Sequence, residues 1–316
     1  GIIAHLEAHH REHPDVPRDW NPIYRLLDDV AHDIHEEMAR QGVTPAPQAI
    51  NETLMLSRLV AQRALFGVAS DTQAVELAKA GLWLHTFAVG APLSFLDHHL
   101  RAGDALMSAD PGDVVEAYEL RPISATILED AEALFALTER VDTTPLDVRW
   151  SATQFDRTLE VLQPYKRLLD MALIAELGDT AAGPAIRQVR APHWREDLER
   201  VTAAWAETHG DAEGYFHWAV EFPEVYMDLA EATWLEAPGF DVVLGAPPWL
   251  PVDGTGQPDV DEARQAYYGR RYLESFGETK VSQAYLGLAH RLVRRSTGRT
   301  AYVLSREWLA SPTGGI

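Results

Sequence analysis

The chain has 316 residues, of which 46% are hydrophobic, so it can form one large domain or two ordinary ones with a buried core. It contains no cysteine, which excludes disulfides and thiolate metal sites and fits a reducing cytoplasm, and it has no run of about 18 apolar residues to span a membrane. Its formal net charge of −21 opposes unaided binding to nucleic-acid phosphates, so a DNA partner must be held mainly by additional domains or subunits outside this chain.

The first third of the chain predicts helices followed by two short strands. Residues 1–50 have the spacing of a helical N-terminal segment. From 51 to 110 we expect a short strand at Leu65–Ala69, a helix over "DTQAVELAKAGLWLHTF" with its N-cap at Asp71 or Thr72, and a second strand within "PLSFLDHHLRAGDAL". This alternation is typical of a strand–helix–strand unit.

The remaining chain predicts a helical insertion and then a return to strands. Residues 111–205 show long helical patterns, whereas 206–316 contain strand signals in "FHWAVEFPEVY", "FDVVLG" and "GRTAYVLSREWL", with a helix over "VSQAYLGLAHRLVRRS". We interpret 51–110 and 206–316 as two parts of one domain interrupted by the insertion. The order of elements predicts an α/β fold with a mostly parallel sheet.

Acidic residues follow both early strands, where a parallel α/β sheet binds its ligands. Asp71 comes after the first strand and could bind a ribose, or it could only cap the next helix. Asp104 lies in "RAGDAL" and could face a ligand, or it could only serve the turn. The residues alone leave both alternatives open.

The stretch "GFDVVLGAPPWL", residues 239–250, combines a strand with an abrupt end. Val242 to Leu244 predict a buried strand, and Pro247 and Pro248 end it because proline donates no ladder hydrogen bond. The unpaired carbonyls could accept bonds from a ligand, and the ring of Trp249 could stack on a base. The alternative is a proline-rich connection with Trp249 packed in the core.

Histidine groups give a weaker signal. "HHREH" at residues 9–13, and His32 with His35, could hold a metal, but no carboxylate is convincingly placed beside them. Solvated helix faces are the favoured interpretation, and we predict no metal site. The four residues "LDHH" at 96–99 also occur in metal phosphoesterases, but no other feature of the sequence supports that activity. We interpret them as structural.

Several phrases in a fixed order carry a family resemblance from about residue 55 onward. They resemble the catalytic domain of large restriction-modification-type adenine-N6 DNA methyltransferases, a group that includes phage-defence methylases. The resemblance implies a Rossmann-like fold with a helical insertion, S-adenosylmethionine as cofactor, and a target adenine flipped out of the duplex. The phrases are "LFGVASDTQAVELAKAGLWLHT", "PLSFLDHHLRAGDAL", "FHWAVEFPEVY", "GFDVVLGAPPWL" and "AYLGLAHRLVRRSTGRTAYVLSREWL".

The resemblance assigns roles to matching positions in this sequence. Asp104 matches the acid that faces the cofactor adenine, while Pro247, Pro248 and Trp249 match the proline pair and the stacking aromatic. The residue before the prolines is an Asn or Asp in the family, and it accepts a bond from the target amino group together with a proline carbonyl. Such placement and polarisation are what the family uses for catalysis.

Two positions depart from the family pattern. Ala246 stands where the family has its amide or acid, and Ala69 stands at the ribose-binding acid, for which only Asp71 could substitute. Loss of one preorganised polar group costs about a hundred- to a thousand-fold in rate, so we predict weak or absent methyl transfer.

The Gly-rich cofactor loop of the family is not found in the first residues, so we expect it upstream of Gly1 and interpret the chain as an internal piece of a larger protein. A second hypothesis is a non-catalytic pseudo-methyltransferase that acts as a scaffold or sensor with defence-system partner proteins. A nicotinamide-dependent oxidoreductase on a similar fold is disfavoured, because a Pro-Pro-Trp sequence after a strand has no role in hydride transfer.

Overall fold

A computed structural model describes residues 2–43, 51–120, 141–190, 192–210, 214–247, 262–272 and 281–304. The described residues have a mixed α/β structure, as predicted. The chain divides into two compact units. The first comprises residues 1–103 and 133–160, and the second comprises 104–132 and 161–316.

The described elements are short, apart from one long helix that contains Pro164. The α-helices are α1 (Ile2–Glu12), α2 (Pro22–Arg40), α3 (Glu52–Arg63), α4 (Thr72–His85), α5 (Pro111–Tyr118), α6 (Pro145–Glu176), α7 (Ala182–Ile186), α8 (Trp194–His209), α9 (Trp218–Glu221), α10 (Glu262–Tyr272) and α11 (Val281–Leu292). The strands are β1 (Gly67–Ala69), β2 (Leu100–Ala102), β3 (Met227–Asp228), β4 (Thr233–Trp234), β5 (Val242–Gly245) and β6 (Arg299–Tyr302). Two 3₁₀ turns span Arg18–Trp20 and Pro223–Val225.

Helices α2 and α3 of the first unit begin at asparagine caps, and they share one core with α1. The Oδ1 atom of Asn21 accepts from the Ile23 N–H at 2.9 Å, and that of Asn51 accepts from the Leu54 N–H at 2.9 Å. The helices bury a common apolar cluster, which fixes their packing. Its buried members are Leu6, Tyr24, Leu27, Val30, Ile34, Met38, Met55, Leu59 and Ala88.

The strand–helix–strand unit predicted from the sequence is present in the first unit. β1 and β2 pair in parallel with Gly67 opposite Leu100, and α4 connects them. Asp71 caps α4, because its Oδ1 accepts from the Gln73 N–H at 2.8 Å. Val75 of α4 packs against Leu100 of β2, so the helix covers one face of the strand pair.

The second unit contains a second parallel pair, β5 and β6, in which Val242 lies opposite Arg299 and Gly245 opposite Tyr302. The helix predicted over "VSQAYLGLAHRLVRRS" is α11, and it contacts β6. β3 and β4 form a separate antiparallel pair that the sequence did not predict. The described strands therefore form three two-stranded sheets, two of them parallel, rather than the single sheet that we expected.

Two strand predictions are wrong in detail. "FHWAVEFPEVY" forms α9 and a 3₁₀ turn instead of a strand. Pro223 cannot donate a hydrogen bond to a strand ladder, and the helical turns bury the apolar residues on either side of it. The strand at Val242–Leu244 exists, but the side chains of Val242 and Leu244 are 56% and 72% exposed. Parallel strands become fully buried only when both faces are covered, and no described element covers this face.

Residues 121–140 of the predicted helical insertion, and the residues after Leu304 in the last predicted strand, lie outside the described ranges. Within those ranges, every helix is too short or too polar to span a lipid bilayer.

Two helical glycines of the second unit differ in the space around them, so we expect alanine to have opposite effects on stability at the two positions. A Cβ at Gly287 of α11 would collide with the carbonyl oxygen of Tyr272, whereas a Cβ at Gly269 of α10 would meet no atom within 4 Å. We expect Gly287→Ala to lower the free energy of unfolding by about 1–3 kcal/mol through overpacking. Gly269→Ala should raise it by about 0.5–1 kcal/mol, because alanine favours the helix. Urea unfolding followed by circular dichroism measures both, and equal effects of the two changes would contradict the close packing at Gly287.

Candidate functional site

Asp104 follows β2 in the chain and begins a buried loop of the second unit, residues 104–109, which we call the Asp104 loop. One carboxylate oxygen, Oδ1, accepts from the Leu106 N–H at 3.0 Å. The other, Oδ2, lies 3.9 Å from Nη1 of Arg264 on α10, and the side chain is 28% exposed. The carboxylate therefore has one oxygen fixed by the main chain and one oxygen that faces a cation and solvent.

The electrostatics around Asp104 involve side chains from two helices. Burial raises the pKa of Asp104. The N–H groups of Leu106 and Met107 and the charge of Arg264 act in the opposite direction. Burial and the Asp104 carboxylate together raise the pKa of Tyr285 on α11 to about 12, and the same two causes raise the pKa of Tyr268 on α10. Asp104 thus lies beside two protonated phenols and one guanidinium in a partly desolvated place.

The end of the β5–β6 pair lies close to the same tyrosine of α11. The ring of Tyr302 packs on Gly245, where a Cβ would lie 2.5 Å from the ring carbon Cε1. Tyr302 and Asp104 both contribute to the raised pKa of Tyr285. Tyr285 therefore lies within electrostatic range of both the Asp104 carboxylate and Tyr302, which pairs with Gly245 at the end of β5, and all of them belong to the second unit.

The strand end carries the residues that the sequence singled out. The last ladder bond runs from the Val303 N–H to the Gly245 carbonyl at 2.9 Å, so the pairing ends directly before Ala246, as the proline pair predicts. Ala246 is exposed and Pro247 is buried. Pro248 and Trp249 lie outside the described residues, so the stacking role of Trp249 stays a prediction.

The two positions assigned to ribose binding lie in the first unit. The Ala69 carbonyl accepts from the Gly103 N–H at 2.9 Å at the end of the β1–β2 ladder. Asp71 is exposed and caps α4, which confirms its capping role. A ribose-binding role for Asp71 or Ala69 stays a prediction.

Sequence reasoning missed the helix that faces Asp104. α10, "EARQAYYGRRY", lies between the Pro-Pro-Trp motif and α11, where no element is predicted from the sequence. A signal was available, because Arg264, Tyr268 and Tyr272 recur every four residues and so share one face of a helix. Its contacts with Asp104, more than 150 positions earlier, have no local signature.

The histidines of "LDHH" are packed side chains in the first unit. His98 stacks on Phe95 with ring centroids 5.5 Å apart, and burial lowers the pKa of His98 well below its usual range. Among the residues that the structure describes, no group of three or more His, Cys, Asp or Glu side chains is arranged to hold a metal ion.

The family of the chain follows from a match to the model of the Eco57I restriction-modification methylase over residues 63–315. The match spans β1, Asp104 and the strand end at Ala246. The chain therefore belongs to the Eco57I restriction-modification methylase family. No curated protein and no solved structure matches the chain significantly.

Asp142 of the first unit provides a structural comparison for Asp104. It accepts from the Phe95 N–H at 2.9 Å and from the Ser151 hydroxyl at 2.8 Å. Burial raises the pKa of Asp142 too, and the buried guanidinium of Arg58 opposes the shift. Asp142 is thus an acid whose two oxygens are both satisfied within the protein.

We expect asparagine to have opposite effects on stability at these two acids. Because the pKa of Asp104 is raised, the folded state binds its proton more tightly than the unfolded state, and stability falls as pH rises through the folded pKa. Asp104→Asn should therefore increase the free energy of unfolding at pH 7, and the gain should disappear below about pH 4, where the carboxyl is protonated in both states. Asp142→Asn also removes a buried charge whose pKa is raised, but its single amide oxygen cannot accept from both the Phe95 N–H and the Ser151 hydroxyl. Because one of these donors and the buried Arg58 charge lose their partner, we expect a net loss of about 1–3 kcal/mol at pH 7.

Urea unfolding at pH 7 and at pH 4 measures both variants. A loss of stability in Asp104→Asn comparable to that in Asp142→Asn would show that Asp104 is a structural acid.

Proposed function

We propose that the chain is the S-adenosylmethionine-dependent, adenine-N6-specific DNA methyltransferase domain of a restriction-modification or phage-defence system. The observation that carries the proposal is the Asp104 carboxylate, which keeps one oxygen for a ligand beside α10 and α11 in a chain of the methylase family. Each unit contains one parallel strand pair, and parallel pairing is the kind that a Rossmann-like framework uses.

The carboxylate of Asp104 is a hydrogen-bond acceptor that fits the adenosyl part of the cofactor. Oδ2 can accept a hydrogen bond from an exocyclic amino group, while Oδ1 stays held by the Leu106 N–H. When bound, S-adenosylmethionine supplies an electrophilic methyl group on a positively charged sulfur. The protein contributes binding and orientation at Asp104, and partial exclusion of water strengthens these interactions.

The target adenine belongs at the end of β5 in this proposal. The rigid sequence from Pro247 onward would hold an extruded base through its carbonyls and the ring of Trp249. Ala246 provides no acceptor for the amino group of the base, so half of the family's clamp is missing and transfer should be slow. Affinity for DNA must come mostly from other domains or subunits, because this chain is strongly acidic.

The exposed Ala246 and the alanine at position 69 also favour a second candidate, a pseudo-methyltransferase that serves as a scaffold or sensor in a defence complex. The two candidates differ in cofactor binding. An impaired enzyme keeps its affinity for S-adenosylmethionine, whereas a scaffold needs none.

Isothermal titration calorimetry with S-adenosylmethionine tests the cofactor site. We expect the complete protein to bind, and we expect Asp104→Ala to weaken binding by about ten- to a hundred-fold, because the adenosyl amino group loses its charged acceptor. Asp156→Ala removes the same charge from an exposed position on α6 and serves as the control. Absence of binding by the complete protein would favour the scaffold.

Restoring the acceptor before the prolines tests the catalytic assignment. In the complete protein we expect Ala246→Asn to raise methyl transfer to DNA by about a hundred- to a thousand-fold, because the amide oxygen polarises and orients the target amino group. Incorporation of radiolabelled methyl groups into DNA measures the rate. Ala246→Leu has a similar size without an acceptor and should give no gain. If Ala246→Asn is no faster than the alanine form, position 246 does not have the role proposed for it.

A further inference from the structure

The Asp104 loop is a buried main-chain segment whose polar groups cannot reach water. Residues 105 to 109 are each less than a tenth exposed. A buried carbonyl or N–H without a partner costs free energy comparable to a lost hydrogen bond, so the conformation of the loop depends on which groups supply its partners.

One set of partners comes from the segment before and within α9. The indole Nε1 of Trp218 donates to the Ala105 carbonyl at 3.1 Å, and the Phe216 N–H donates to the Met107 carbonyl at 2.9 Å. The Ala109 N–H donates to Nδ1 of His217 at 3.0 Å. This side of the loop is therefore held along its whole length.

His217 extends that support to α6. Its side chain is fully buried, and Nε2 lies 2.8 Å from Oδ1 of Asp170. Because Nδ1 accepts from the Ala109 N–H, Nε2 carries the ring proton and donates it to Asp170. The imidazole thus joins the end of the loop to a carboxylate on the longest helix.

The second set of partners comes from tyrosines of α10. The hydroxyl of Tyr272 donates to the Leu106 carbonyl at 2.8 Å, and the hydroxyl of Tyr267 donates to the Ser108 carbonyl. Burial raises the pKa of Tyr272 well above its usual range, so this phenol keeps its proton and remains a donor. Arg271 of the same helix pairs with Asp113 beyond the loop.

Leu106 connects the tyrosine contacts with the carboxylate of Asp104. Its N–H donates to Oδ1 of Asp104, and its carbonyl accepts from Tyr272. We propose that Tyr272, assisted by Tyr267, is a positioning residue that fixes the Asp104 carboxylate by holding the Leu106 peptide behind it. Neither tyrosine needs to touch the ligand for this role.

The inference rests on the proposed function in one respect, namely that the ligand of Asp104 is S-adenosylmethionine. When the loop is held less firmly, a smaller fraction of molecules presents the carboxylate in the binding orientation. The apparent dissociation constant rises in inverse proportion to that fraction. α10 also follows the Pro-Pro-Trp motif in the chain, so the helix that orders Asp104 is the first described element after the target-binding sequence.

The test uses Tyr272→Phe, Tyr267→Phe and the double variant in the complete protein, because each change removes one hydroxyl and keeps the ring. Hydrogen–deuterium exchange of peptides covering residues 104–109 reports on the loop, and calorimetry with S-adenosylmethionine reports on its consequence. We expect faster exchange in these peptides, and a dissociation constant raised about threefold in Tyr272→Phe and about tenfold in the double variant. Tyr24→Phe, at a buried tyrosine of the first unit, is the control and should change neither measurement.

The outcomes separate the inference from the function on which it rests. Unchanged exchange of residues 104–109 in the double variant overturns the inference whatever the affinity. Faster exchange with an unchanged dissociation constant shows that the tyrosines have only a structural role, and this result also overturns the inference. The same conclusion applies if a variant only unfolds at a lower temperature. If the protein without these substitutions does not bind S-adenosylmethionine, the proposed function fails. The part of the inference that concerns S-adenosylmethionine then fails as well. The exchange measurement then decides only whether the tyrosines hold the loop.

Discussion

The main constraint on the second unit is the burial of the main chain directly after Asp104. A segment of this kind is stable only if its carbonyls and N–H groups are paired inside the protein. Here the partners come from residues 214–218 and from α10, which lie more than a hundred positions further along the chain. The position of one carboxylate therefore depends on contacts between distant parts of the sequence, and α10 is necessary for it although its tyrosines bind only main-chain oxygens.

Asp104 and Asp142 are both largely buried acids, but they differ in how completely the protein satisfies their carboxylate oxygens. Burial raises the pKa of both. Asp142 has both oxygens in hydrogen bonds and lies near the buried Arg58, and these contacts offset part of the cost of burying its charge. Asp104 has one oxygen held and a cation 3.9 Å from the other, which is weaker compensation for the lost water. A carboxylate kept partly dehydrated and partly unsatisfied is the kind of group that a ligand stabilises.

Local patterns predicted the elements that depend on local physics. The cap at Asp71, the apolar strand before Gly245 and the helix over "VSQAYLGLAHRLVRRS" all carry their information within a few residues, and all three are present. Burial of Val242 was wrongly inferred, because side-chain burial depends on which element covers a strand and not on the strand itself. Of the site, Asp104 and the end of β5 could be found from motif and resemblance. The surrounding residues Arg264, Tyr268 and Tyr285 could not, because long-range packing alone brings them to Asp104.

In the proposed function, cofactor binding and methyl transfer depend on different residues, and they need not be retained together. The proposed affinity for the adenosyl group comes from ground-state contacts at Asp104, and these do not involve the residue at position 246. Acceleration of the transfer requires an acceptor that binds the target amino group more strongly in the transition state than in the ground state, and the methyl side chain of Ala246 cannot supply one. A buried loop anchored by His217, Tyr267 and Tyr272 can therefore preserve a cofactor site after the catalytic acceptor is lost. For this reason a chain of the methylase family can combine an ordered Asp104 with an alanine before its proline pair.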